Sequence, residues 1–348
     1  MISLTIDNKN VEVPEGSTVL EAARKLEIDI PTLCYDSRLK PYGACRLCIV
    51  EIAGFPKPVT SCTTPVAANM VVTTNSDQLY RLRRTTIELL LSDHPNDCMT
   101  CIRSGECTLQ ELAYLYGVRE NRFGGEMRNH DKVDENPFIM REQNKCVMCG
   151  LCVRVCEEMQ GVGAIGYSNR GFEAKVCPPF EKQLDCEFCG QCVSICPTGA
   201  LSGKMWAGQP RLSSMKQTDT TCTYCGCGCS ITLHSHGDKV TRVSSKPTTH
   251  NRGWLCVKGR FGYDFINRDD RLTTPLIRRE KGGQLESASW DEALDVIASK
   301  MNGIKEKHGP DALAGLASAR CTNEENYLFQ KMFRAAIGTN NVDHCARY

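Results

Sequence analysis

Cys146-Val147-Met148-Cys149-Gly150-Leu151-Cys152-Val153-Arg154-Val155-Cys156 and Cys186-Glu187-Phe188-Cys189-Gly190-Gln191-Cys192-Val193-Ser194-Ile195-Cys196-Pro197 repeat one spacing, C-x2-C-x2-C-x3-C. Soft thiolate ligands at such short, regular intervals are the donor set of iron-sulfur clusters. Zinc sites favour two close pairs and match this repeat poorly. Outward from this core, nineteen of the 23 cysteines and one histidine fall into five consecutive ligand sets. The chain reads as an electron conductor.

The doubled run resembles two-cluster ferredoxins, in which three cysteines of each run hold one cluster and the fourth crosses to the other. That resemblance pairs Cys146, Cys149 and Cys152 with Cys196, and Cys186, Cys189 and Cys192 with Cys156. Glu157 stands where the first run would have its proline. Between the runs, Gly161-Val162-Gly163-Ala164-Ile165-Gly166 is a formal G-x-G-x-x-G match. A dinucleotide site needs a strand before it and a helix after it, so a loop is expected here. Cys177 has no partners left and reads as a small buried residue.

Toward the amino terminus, Cys34, Cys45, Cys48 and Cys62 form C-x10-C-x2-C-x13-C in a loop rich in Pro, Gly and Arg. A strand pair, Ser3 to Ile6 and Asn10 to Val13, and a helix Val19 to Leu26 with Thr18 as N-cap precede it. Four thiolates suit a 2Fe-2S cluster, and zinc is the plain alternative. The whole arrangement resembles the ferredoxin-like domain that opens the large iron-sulfur subunit of complex I and its relatives. An amphipathic helix, Gln78 to Leu91, with Leu79, Leu82, Thr86, Leu89 and Leu90 on one side, then delivers His94. His94, Cys98, Cys101 and Cys107 follow as H-x3-C-x2-C-x5-C. This looks like the histidine-ligated 4Fe-4S cluster of the same family; the bland reading of His94 alone is a surface or capping residue.

Toward the carboxy terminus a Gly/Pro/Ser-containing link, Ser202 to Ser214, leads to Cys222, Cys225, Cys229 and Cys256, C-x2-C-x3-C-x26-C. The set resembles the 4Fe-4S domain at the entrance of molybdopterin-dependent oxidoreductases, cytoplasmic formate dehydrogenases among them. The resemblance gives Lys258 a place between cluster and pterin as an electron relay; a solvated surface lysine is the alternative. Cys227 falls outside the spacing and is left unligated. Beyond it, α/β patterning begins: a helix from Trp290 with Leu294, Ile297, Ala298 and Met301 in register, a short buried strand Asp311 to Ala317, and a helix from Asn323 to Ala336 ended by Gly338.

Residues Ser318 to Tyr327 and Gly338 to Asp343 resemble the pterin-binding domain of formate dehydrogenases. In that family Cys-Ala-Arg plus one residue precedes the selenocysteine or cysteine that ligates the metal, and Cys345-Ala346-Arg347-Tyr348 matches it. The expectation is therefore a longer selenoprotein interrupted at UGA, with Cys321 and Cys345 as structural neighbours of the pterin site. The resemblance implies a Mo- or W-bis(molybdopterin guanine dinucleotide) in the full-length protein.

Composition bounds the rest. Lys+Arg of 42 against Asp+Glu of 41 gives a net charge of +1, so no global field attracts nucleic acid or lipid. The first residues alternate like a strand, without an export signal, and no apolar run approaches the roughly 20 residues of a membrane span. Clustered thiols in an odd total suit a reducing, cytoplasmic setting.

The expected fold is α+β and multi-module: a 2Fe-2S ferredoxin-like β-grasp unit at 1–78, a 4Fe-4S unit with one histidine and three cysteine ligands at 79–120, a two-cluster ferredoxin unit at 137–208, a Mo/W-oxidoreductase 4Fe-4S unit at 215–271, and the beginning of a molybdopterin domain at 272–348. One 2Fe-2S and four 4Fe-4S clusters amount to about 18 iron atoms. The expected route runs from the Cys222 to Cys256 set through the ferredoxin pair and the histidine set to the amino-terminal set. By resemblance the chain is the iron-sulfur part of a formate dehydrogenase α subunit, serving a flavin- and NAD(P)-binding partner, a ferredoxin or a hydrogenase module. A non-catalytic electron carrier and the large subunit of a complex I-like NADH dehydrogenase are the alternatives, the doubled cysteine motif speaking against the latter.

Overall fold

The computed structural model describes residues 1–120, 122–131 and 136–344. Cys345, Ala346, Arg347 and Tyr348 lie outside the described residues. The fold is α+β, with each ligand loop carried by its own small set of elements.

At the amino terminus, β1 (Ile2–Ile6) pairs antiparallel with β2 (Lys9–Val13). The sheet continues through β3 (Ile49–Ile52), β4 (Val59–Thr60) and β5 (Val71–Thr73) in the order β2-β1-β5-β3-β4, with β5 parallel to β1. Helix α1 (Val19–Lys25) starts at Thr18, whose hydroxyl accepts from Glu21 N–H while the Glu21 carboxylate accepts from Thr18 N–H at 2.7 Å. Val19, Leu20, Ala22 and Ala23 face the sheet, and Leu4, Ile6, Val11, Val13, Val50 and Val72 complete the core. The 2.0 period of the strands and the 3.6 period of the helix place these side chains on one side.

Helix α2 (Asp77–Ser92) buries Leu79, Arg83, Ile87 and Glu88. Leu82 and Leu89, expected on the inner face, are exposed. The reason is Arg83: its guanidinium donates to the carbonyls of Ile49 and Thr74 at 2.6 and 2.9 Å, and these bonds turn the helix by its polar residue rather than by its leucines. Helix α3 (Thr108–Leu115) packs against α2 through Leu109 and Leu112.

In the central unit, strand Ile139–Arg141 pairs with strand Leu201–Gly203. Ser202, expected to open a linker, is thus a buried strand residue, because the ladder with Met140 claims its backbone. Each cysteine run turns at a left-handed glycine, Gly150 or Gly190, into a short helix, Leu151–Arg154 or Gln191–Ile195. Gly190 cannot be replaced freely, since a Cβ there would stand 2.3 Å from Arg260 Cδ. The glycines from 161 to 166 form a turn that enters strand Gly166–Ser168, the reverse of a strand-to-helix phosphate loop. Cys177 is buried at the end of strand Lys175–Cys177.

Strands Lys216–Thr221, Ser230–His236 and Lys239–Ser244 form a three-stranded antiparallel sheet beside helix Val257–Phe261. After it come helix Trp290–His308, strand Gly315–Ala317 and helix Asn323–Lys331, which runs into a wider turn at Met332–Ile337 and stops at left-handed Gly338. The strand is shorter than expected because Pro310–Ala312 forms a 3-10 turn, and its Leu316 is exposed, as are Leu294 and Ile297. No helix among the described residues is long and apolar enough to cross a membrane.

Candidate metal centres

Cys34, Cys48 and Cys62 are almost wholly buried and Cys45 nearly so. Cys45 N–H donates to Cys34 Sγ at 3.4 Å. The thiols interact in two pairs. A hydrogen bond from Cys34 lowers the Cys45 pKa to about 6, and one from Cys62 lowers Cys48 to about 7; the same bonds, with burial, push Cys34 and Cys62 well up. One sulfur of each pair is thereby favoured as thiolate, the form that binds metal.

His94 follows the end of α2 and is buried, its Nδ1 without a hydrogen-bond partner. Burial lowers its pKa, which keeps the imidazole neutral and able to donate a lone pair. His94, Cys98 and Cys107 line one cavity with Leu91, Leu109 and Gln110. Cys101 does not join them. It lines a neighbouring cavity with Lys145, Trp206 and Arg242, where it packs against Gly199. Ligation by all four requires Cys101 Sγ to turn toward His94.

The central runs separate into two cavities. Cys146, Cys149, Cys152 and Cys196 line one; Cys156, Cys186, Cys189 and Cys192 line the other. Burial raises the pKa of Cys146, to about 11, and pushes Cys149 and Cys192 well up, and neighbouring sulfurs of the same cavity add to it. Taking several thiolates into so apolar a space without a cation is costly, and iron would supply that charge. Among the described residues no three His, Cys, Asp or Glu side chains converge as a single metal ion needs. Four thiols about each central cavity are the ligand number that a 4Fe-4S cluster takes.

Around the last set, Cys229 is raised by burial and by Cys222, Cys227, Cys225 and Cys256. Cys225 and Cys256 are exposed, and Cys227, which the spacing excluded, forms a hydrogen bond with Cys225. Lys258, in the first turn of the helix after Cys256, acts electrostatically on Cys225, as does Arg320. Nothing in the local sequence linked Arg320 to this set.

The sets also touch one another. Cys45 acts on Cys149, and Leu33, Cys34, Cys45, Leu47, Cys149, Leu151 and Ile195 share one core with Leu109 and Leu112 of α3. The amino-terminal set therefore adjoins the Cys146 to Cys196 set directly. Residues distant in sequence meet because α4 (Leu151–Arg154) packs under the cysteine loop, and Cys107 of the histidine set packs against the same core.

Comparison with known proteins follows this division. Residues 1–77 match the 2Fe-2S iron-sulfur cluster binding domain, and 83–122 the NADH-ubiquinone oxidoreductase-G iron-sulfur binding region. Residues 136–202 match the ferredoxin-like domain of NADH-quinone oxidoreductase subunit 3, 215–268 the molybdopterin oxidoreductase Fe4S4 domain, and 271–348 molybdopterin oxidoreductase. In the crystal structure of an NAD+-reducing [NiFe]-hydrogenase, a chain 30% identical superimposes with a TM-score of 0.57, covering 61% of this chain and 91% of that one. Over these regions the chain is similar to the iron-sulfur proteins of the complex I large-subunit type. The NADPH-Fe(3+) oxidoreductase subunit alpha of Geobacter sulfurreducens is 43% identical over all of this chain and 40% of its own length. A G-type subunit of the NADH-quinone oxidoreductase of Rhizobium meliloti is 42% identical, again over 40% of its length. The chain thus spans about two fifths of these relatives. The doubled cysteine motif, which in sequence speaks against a complex I-type subunit, does not set the chain apart from this family.

Proposed function

We infer that this chain is the iron-sulfur, electron-conducting part of a larger cytoplasmic oxidoreductase subunit that joins a molybdenum- or tungsten-pterin site to an NAD(P)-linked flavin partner. Cys34, Cys45, Cys48 and Cys62 hold a 2Fe-2S cluster. His94, Cys98, Cys101 and Cys107 hold a 4Fe-4S cluster, and Cys222, Cys225, Cys229 and Cys256 another. Cys146, Cys149, Cys152 with Cys196 and Cys186, Cys189, Cys192 with Cys156 hold the central two. The observation that carries this reading is the sorting of eight central thiols into two cavities of four, each drawing three ligands from one run and one from the other. When bound, such clusters accept and release single electrons. The chain's own contribution is to desolvate the ligands and to hold the loops of neighbouring sets in contact.

For the substrate of the full-length protein we favour formate, on the strength of the Ser318 to Asp343 likeness, with Lys258 and Arg320 between the last cysteine set and the pterin. NADH dehydrogenation within a complex I-like assembly is the second reading, favoured by the NADH-quinone oxidoreductase relatives. Anaerobically prepared chain analysed for iron and by reduced-state EPR tests the cluster reading. Viologen reduction by the full-length subunit and its partners, with formate and with NAD(P)H as donors, separates the two substrate readings.

A further inference from the structure

Three modules meet the central two-cluster unit, and each junction contains the same device. Arg154 lies between Cys152 and Cys156 in its own loop, and its guanidinium donates at 2.6 Å to the carbonyl of Cys34 in the amino-terminal loop. Arg103 lies between Cys101 and Cys107 and donates at 3.1 Å to the carbonyl of Cys196. Arg260 follows Cys256 and donates at 3.0 Å to the carbonyl of Cys189, with a second bond of 2.9 Å to Gln191 Oε1. All three arginines are buried, Arg260 to 2% exposure. Each springs from one ligand loop and grips a ligand's backbone in the next.

We propose that Arg103, Arg154 and Arg260 are junction residues that fix the spacing of neighbouring clusters and lend both the same positive charge, so that the potentials of each adjoining pair are tuned together. This rests on the cluster reading given above. A permanent guanidinium between two anionic centres favours the reduced state of both, and its planar fork sets geometry as a lysine cannot. Neighbouring groups make the junctions unequal. Glu106 pairs with Arg103 at 3.4 Å but is shared with Arg242 at 2.5 Å, whereas among the described residues neither Arg154 nor Arg260 makes an ion pair, although Arg154 acts electrostatically on Asp36. Arg154 instead lies over the Tyr42 ring at 5.2 Å. Arg154 and Arg260, without a direct ion pair among the described residues, are the junctions at which the effect is read.

EPR-monitored redox titration of the whole, anaerobically reconstituted chain tests this. Arg154→Met lowers the midpoint potentials of the amino-terminal cluster and the Cys149 cluster together, leaving the Cys222 to Cys256 cluster unmoved. Arg260→Met lowers the Cys189 and Cys256 clusters together and spares the amino-terminal one. Arg→Lys at either place restores most of the shift. No shift, a shift of one member alone, or an equal shift of every cluster overturns the proposal. Where a methionine variant fails to hold iron, Arg→Gln, which keeps a donor without charge, is titrated instead; loss of iron from both neutral variants at both junctions assigns the arginines to folding only and likewise overturns it. Wild-type chain without iron would sink the cluster reading, whereas wild-type clusters with unpaired shifts in the variants sink only this inference.

Discussion

Gly199 leaves the space that Cys101 occupies: the Cys101 sulfur stands 2.8 Å from where a Cβ on residue 199 would lie. The same Cβ would approach Lys145 Cδ to 3.2 Å, and Lys145 is held by ion pairs to Asp97 and Glu142 at 2.8 and 2.9 Å. Neither neighbour yields easily. Gly199→Ala is expected to displace the loop that carries Cys101, destabilise the chain by about 1–3 kcal/mol as overpacking does, and reduce the EPR signal of the histidine-ligated cluster before that of any other. Full iron content with an unchanged spectrum counts against a ligand role for Cys101.

A pH dependence follows from His94. Burial, countered only in part by Asp97, holds its folded pKa below the ordinary value of about 6.5. The folded apoprotein keeps the ring neutral while the unfolded chain takes up a proton as the medium acidifies. The associated stability is complete above about pH 6.5 and is lost as pH falls toward the folded pKa. His94→Asn in the apoprotein should flatten the fall of melting temperature between about pH 7 and 5 relative to wild type; parallel curves would show that His94 is not the group responsible.

The sorting of the eight central cysteines into two cavities was legible in the sequence because their short, repeated intervals survive without any knowledge of the fold. Thr18, Gly338 and the strand at Ile2–Ile6 were legible for the same reason, since caps and period-2 alternation are local. What lay beyond reach depended on partners far along the chain. Leu82 and Leu89 look like core residues until Arg83 is seen to reach Ile49 and Thr74. Cys101 has the right spacing, yet its direction is set by Gly199, far along the chain. The adjacency of Cys45 and Cys149 arises from packing of separate modules, which no interval encodes.

Thr18 gives a simple energetic check on the amino-terminal module. Its hydroxyl accepts from Glu21 N–H at 3.3 Å and its own N–H is capped by the Glu21 carboxylate, so two groups at the start of α1 are satisfied reciprocally. Thr18→Ala is expected to cost about 1 kcal/mol, seen as a lowered denaturation midpoint with the 2Fe-2S spectrum retained. Thr18→Ser should recover most of the loss. Equal losses in both variants would mean that the methyl group, and not the cap, matters at this position.

Iron removal should not affect all modules alike. The amino-terminal unit encloses a cluster of fifteen buried residues built on a five-stranded sheet, enough to persist when its thiols are unoccupied. The sheet carrying Cys222 to Cys256 has only Val243, Leu255 and Tyr263 fully buried in its own cluster, and its strand Lys216–Thr221 is exposed throughout. So small an apolar core contributes little against the entropy of ordering roughly fifty residues, and metal binding must supply most of what remains. Anaerobic chelation followed by hydrogen-exchange mass spectrometry should therefore show protection lost first across 215–271, while β1, β3 and α1 still exchange slowly. Simultaneous loss in both regions would mean that contacts between modules, such as Arg38 stacked on Trp254 at 3.9 Å, bind the chain into one cooperative unit.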